Sequence, residues 1–110
     1  MVLNILGSDW TVEYRNADAD PILLDGNGGY TDSSINLIVI SNKKQNDDCG
    51  DFSEIQKRYL RHEIIHAFLY ESGIGENFTH PQFGHDETYV DWIAIQFPKI
   101  LKVFKEAGGL

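Results

Sequence analysis

A single cysteine, Cys49, is all the sequence offers for covalent crosslinking. No disulfide can form within the chain, which excludes the stapled framework of small secreted domains. Long apolar runs are also missing. None approaches the ~20 residues that span a bilayer, so no membrane-spanning helix is expected. Basic residues are few: Lys and Arg number 9 against 17 Asp and Glu, for a net charge of −8. Nucleic-acid binders carry a basic footprint, so no nucleic-acid partner is expected. Simple solubility accounts for the acidity, although an acidic face also favours basic substrates. Residues Met1 to Leu6 lack the basic and long apolar stretches of a secretory leader, and the expectation is a cytoplasmic protein. There is no internal repeat and no low-complexity tract.

What is present suits one globular domain over residues 1–110, with 42% hydrophobic and 12% aromatic residues. Such a chain can bury enough apolar surface to fold without staples. Val2 to Leu6 reads as a short strand, followed by a turn at Gly7-Ser8-Asp9. Trp10 to Tyr14 alternates in polarity and reads as a second strand, the hairpin partner of the first. Residues 16–32 are rich in Asn, Asp and Gly and read as a loop, broken by the apolar patch Ile22-Leu23-Leu24. Ser34 to Ile40 is the strongest strand candidate, and its apolar run suits a covered position.

A helix follows, with Asp51 or Ser53 as N-cap and Glu54 or Gln56 at capping-box spacing. Apolar residues recur at Ile55, Tyr59, Leu60, Ile64, Ala67 and Phe68. Gly73 can end this helix in the left-handed conformation. The last helix is expected to start near His85 or Asp86, with Val90, Ile93, Phe97, Ile100, Leu101 and Phe104 in one phase. Pro98 lies inside it, removes one backbone hydrogen bond, and predicts a kink or a split. Trp10, Trp92 and the phenylalanines read as core. The predicted class is α+β, with helices packed on a small three-stranded sheet.

The chemistry centres on His62-Glu63-Ile64-Ile65-His66. Histidines at i and i+4 share one helix face and can converge on one metal ion. Glu63 stands beside them, placed to take a proton from water and return it to a leaving amine. The pattern arises by chance in roughly one such chain in a hundred, so two surface histidines beside a glutamate is the competing reading. A third protein ligand is then needed, with the fourth position left open. Glu87 is the preferred candidate; His85 and His80 are alternatives. Glu87 would also be favoured at a helix N-terminus by the helix dipole alone. Asp91, one turn beyond Glu87, can accept a hydrogen bond from a ligand histidine and fix its tautomer.

HExxH followed by ExxxD on the next helix resembles the gluzincins, the zinc peptidases of the thermolysin clan. The strand-strand-strand-helix-helix order is similar to their minimal members, which include ImmA/IrrE-type peptidases and small phage or bacterial peptidases. The resemblance covers about residues 28–97 and is carried by His62, Glu63, His66, Glu87 and Asp91. It implies a zincin-like fold, a zinc ion held by His62, His66 and Glu87, Glu63 as catalytic acid–base, and Asp91 as an outer partner. The family's asparagine before the glutamate is Asp86 here, which can still cap the helix. The helix that precedes the sheet in many zincins has no clear counterpart.

Other assignments are expectations of lesser weight. A peptidase needs a donor for the oxyanion; His85 is preferred, with His80, Tyr70 and Tyr89 also able. Zincins hold substrate against a strand edge, so a strand within 10–14 or 34–40 is a candidate for β-augmentation. The Asp47-Asp48-Cys49-Gly50-Asp51 cluster reads as a solvated loop with helix caps rather than a calcium site. The functional expectation is therefore a zinc-dependent peptidase acting on a protein or peptide substrate. Its rival is a zinc-binding regulatory module without turnover, since so short a chain has little wall for a cleft and leaves room for a partner protein to complete it. A closed structural zinc site would need His80 or His85 as a fourth ligand. A metal-dependent ribonuclease is disfavoured by the charge.

Overall fold

The computed structural model describes residues 1–42, 50–73, 75 and 86–106, with side chains to residue 102. Val2–Ile5 forms β1 and Ser8–Arg15 forms β2. They pair antiparallel, with Ile5 opposite Ser8. The tight turn between them places Leu6 at φ 50° and Gly7 at φ 98°. Two successive positive φ values match the twist of a two-residue hairpin. The turn therefore falls one residue earlier than the sequence predicts.

The stretch 16–32 is not a plain loop. Asp20 caps a short helix, α1 (Pro21–Leu24), accepting from the backbone N–H groups of Ile22 and Leu23. Pro21 occupies a first-turn position, where its missing N–H costs nothing. Gly29–Asp32 then forms a strand, β3, and Leu37–Ser41 forms β4. Among the described residues the sheet has four strands, not three, in the order β1-β2-β4-β3. β2 and β4 run parallel, and β3 pairs antiparallel to β4. The expected strand over 34–40 begins only at Leu37, because Asn36 at φ 51° closes the turn from β3.

All five residues of β4 are buried, as a strand covered on both faces requires. Ile38 and Ile40 join Ile5, Trp10 and Val12 beneath the long helix, while Leu37 and Val39 meet Ala17, Leu23 and Tyr30 on the other face.

The long helix α2 spans Phe52–Glu71. Asp51 caps it by accepting from the Glu54 N–H at 3.2 Å. It ends where Gly73, at φ 89°, donates to the carbonyl of Tyr70. Side chains fasten it to the sheet along its length. Gln56 donates to the carbonyl of Ser41 at 3.0 Å and Thr31 donates to that of Glu63 at 3.2 Å. Glu71 accepts from Ser8 Oγ at 2.9 Å and Trp10 Nε1 at 2.8 Å. The helix thus cannot roll without breaking bonds at both ends, which fixes the direction of its histidines.

The last helix, α3, spans Glu87–Glu106 and packs on α2 through Val90 and Ala94, both fully buried. Asp86 caps it, accepting from the Thr88 N–H at 2.7 Å. Pro98 does not split α3. A proline N cannot donate to the carbonyl four residues back, here Ala94. Arg61 Nε donates to that carbonyl instead, at 2.6 Å, so the acceptor stays satisfied across the helix pair. The aromatic assignments divide: Trp10 is buried, whereas Trp92, Phe68 and Phe97 are exposed. The molecule is α+β with a small mixed sheet, and no helix among the described residues is long and apolar enough to cross a membrane.

Candidate metal centre

His62 and His66 leave the same face of α2 and turn their Nε2 atoms toward each other, 3.0 Å apart. Their rings meet edge to face with centroids 4.7 Å apart. Glu87, the first residue of α3, places one carboxylate oxygen on each ring: Oε1 lies 2.8 Å from His66 Nε2, and Oε2 lies 3.4 Å from His62 Nε2. Asp91, one turn along α3, takes the far side of His62, with Oδ1 2.6 Å from Nδ1. A proton on Nδ1 shared with Asp91 leaves the Nε2 lone pair directed at the cluster.

Three atoms that ligate one tetrahedral zinc-like ion at 2.0–2.1 Å stand about 3.3 Å from each other. The two Nε2 atoms, 3.0 Å apart, lie near that value, and a different oxygen of Glu87 lies near each of them, at 2.8 and 3.4 Å. Glu63 contributes a further carboxylate within 4.8 Å of the two histidine nitrogens. The His/Glu/His group could therefore hold a metal ion, with two carboxylates within reach of the imidazoles.

The two carboxylates differ in setting. Glu87 is more than half exposed. Glu63 is 5% exposed, and its Oε2 has no hydrogen-bond partner. The Thr31 hydroxyl donates to the backbone carbonyl of Glu63, not to that oxygen. Burial, and then the negative charges of Glu87 and Asp91, push the Glu63 carboxyl up to about 8.

β3 walls the site on the sheet side. Gly29 lies so close to α2 that an added Cβ would stand 3.2 Å from Glu63 Cγ and 2.8 Å from the carbonyl of Val39. A Cβ on Gly28 would enter the ring of Tyr59. Two cavities flank the histidines. One, of about 360 Å³, lies between β3, α2 and α3 and reaches Arg58 and Ile95. The other, of about 300 Å³, runs past Thr31 and His66 toward Ile22 and Tyr70.

The structure brings His62, Glu63, His66, Glu87 and Asp91 together. His80 and His85 lie outside the described residues, as do Asp47, Asp48 and Cys49. Tyr70 borders the second cavity, whereas Tyr89 is exposed and borders neither. The strand assignment changes. β2 and β4, which contain the sequence's candidates for substrate pairing, are interior and paired on both sides. The edge beside the site is β3. Ser41 N–H donates to the Gly28 carbonyl at 2.9 Å. Antiparallel alternation then turns the backbone groups of Gly29 and Thr31 outward, away from β4. The signal for β3 was the pair Gly28-Gly29 ahead of Tyr30-Thr31. Arg58, one turn before His62, was legible by the same spacing that links the two histidines.

No family model, curated protein or solved structure matches this chain.

Proposed function

We propose that the chain is a zinc-dependent peptidase in which His62, His66 and Glu87 hold the metal. The observation that supports this most is the triangle of Glu87 and the two imidazoles, with Asp91 braced against the outer nitrogen of His62. Glu87 is preferred to Glu63 as third ligand because it meets both rings at once. Zinc, when bound, supplies a Lewis acid that polarises a carbonyl and makes water nucleophilic near neutral pH.

The protein's own residues do the rest. Glu63 has an unsatisfied oxygen beside the cluster and, ionised when a cation lies next to it, takes the proton from the attacking water, then returns it to the leaving amine. Asp91 keeps the His62 proton on Nδ1, so that Nε2 remains a lone-pair donor. A peptide lying along β3 pairs with the outward backbone groups of Gly29 and Thr31, which sets its carbonyl above Glu63. Gly29 lets β3 lie that close to Glu63 because it has no side chain between strand and helix.

Metal content paired with peptide hydrolysis tests the reading. Purified protein is expected to carry about one zinc per chain. Glu63→Gln keeps the zinc and loses hydrolysis by about 10²–10⁴-fold. His66→Ala loses the zinc, and Glu87→Gln weakens its binding. Protein that takes up no zinc at neutral pH overturns the reading. Protein that binds zinc and cleaves no peptide, folded or unfolded, is a metal-binding module instead.

A further inference from the structure

We propose that the cleft selects substrates carrying a carboxylate beside the scissile bond, and that Arg58 is the residue that receives it. This rests on the proposed zinc site for its binding test and on the peptidase reading for its chemistry. The chain has three arginines. Arg15 is committed to Glu13, Asp20 and the Tyr30 hydroxyl. Arg61 is committed to the Ala94 carbonyl, with Glu54 nearby. Arg58 is exposed and has no hydrogen bond or ion pair among the described residues.

Its position gives that freedom a direction. Arg58 precedes His62 by one helical turn and therefore shares its face of α2. It borders the larger cavity, together with Gly28, Gly29, Tyr59 and Ile95. Two of the acidic groups there are already engaged, Glu87 facing both imidazoles and Asp91 on His62, and the third, Glu63, is buried. Once a divalent ion balances the two carboxylates on the histidines, Glu63 and Arg58 are the charges left on this side, and of the two only the guanidinium is exposed to an incoming ligand. A planar guanidinium offers two parallel N–H donors and matches a carboxylate in a fork. The cavity, about 360 Å³, is in the range that takes a small ligand or one side chain. The local preference is thus opposite to the one the net charge of −8 suggests from a distance.

The carboxylate can come from an Asp or Glu side chain or from a free peptide C-terminus. The test uses matched peptides with Glu, Gln or Lys at each position in turn, each as free acid and as C-terminal amide. Zinc-loaded Glu63→Gln protein, which does not turn over, measures affinity by calorimetry. Zinc-loaded wild type measures kcat/KM. A Glu peptide is expected to bind at least about tenfold tighter than its Gln partner. Arg58→Met removes that ratio, and Arg58→Glu turns it toward Lys. Lys57→Met makes the same charge change outside the cavity and leaves it intact. If amidation abolishes the preference and side-chain exchange does not, the ligand is the C-terminus. Equal affinity for Glu, Gln and amidated peptides overturns the proposal. So does a Glu preference that survives Arg58→Met. A preference in binding with no cleavage by wild type overturns the peptidase reading and leaves Arg58 in place.

Discussion

Asp20 and Glu63 are two buried carboxylates on opposite sides of β3, and the fold treats them in opposite ways. Asp20 is 4% exposed but lies close beneath the surface, under Arg15 and Tyr30. Each of its oxygens is used. Oδ2 accepts from Tyr30 at 2.7 Å and from Arg15 at 3.1 Å, and Oδ1 caps α1. The Tyr30 hydrogen bond foremost, helped by Arg15 and the two backbone N–H groups, holds the Asp20 carboxyl below its usual range. Burial, and then Asp20, raise the Tyr30 hydroxyl to about 12, so it stays protonated and keeps donating. Glu63 has an oxygen with nothing to accept, and its burial favours the proton. A carboxylate that is buried and satisfied is part of the scaffold. One that is buried and left short of partners weakens the fold, and the neighbouring imidazoles give a reason to keep it.

The contrast can be broken by substitution. Asp20→Ala should be the most damaging change, costing about 3 kcal/mol, because it removes charge-assisted bonds and a helix cap together. Urea unfolding measures it, and a loss below about 1 kcal/mol would mean that the network is decorative. Gly29→Ala tests the strand between the two carboxylates. Its Cβ would meet the Val39 carbonyl at 2.8 Å, a backbone atom that cannot step aside. A loss of about 2 kcal/mol is expected by the same assay. Glu63→Leu should move the other way in metal-free protein, gaining about 1 kcal/mol as an unsatisfied buried carboxyl is replaced by a hydrocarbon. Destabilisation of the size expected for Asp20 would erase the distinction.

The smallest effect is a pH slope. Asp20 has a lowered folded-state pKa, so its contribution is fully present above its unfolded value of about 3.9. That contribution is lost as the pH falls through the folded-state value. Thermal midpoints of wild type should therefore drop more steeply than those of Asp20→Asn between pH 5 and pH 2. Parallel curves would show that Asp20 is not a source of acid lability.

Local signals carried much of this architecture. Asp51 ahead of Glu54, and Gly73 after the last apolar turn, marked both ends of α2. The histidine spacing and the Glu87–Asp91 spacing each declared a face. β3 escaped because Gly29-Tyr30-Thr31-Asp32 is short and sits among turn-forming residues. Its strand character comes from pairing with β4, which is a tertiary contact. Trp92 was assigned to the core but is exposed, and so are Ile93 and Phe97 from the expected apolar phase of α3, whose buried positions are Val90 and Ala94. That the second helix would bring Glu87 to the first was expected from the family pattern, but the side chains that lock α2 to the sheet were not.

Pro98 has one more consequence. By vacating the Ala94 carbonyl it creates a socket at one height on α3, and Arg61 is the plug at one height on α2. If α3 slid by a turn, plug and socket would part, leaving a buried acceptor unfilled. Arg61 adjoins His62, and Ala94 lies one turn past Asp91, so the sliding position that seats the arginine also brings Asp91 and Glu87 to the imidazoles. A residue usually counted as a helix breaker acts here as an alignment pin, some distance from the chemistry whose alignment it sets.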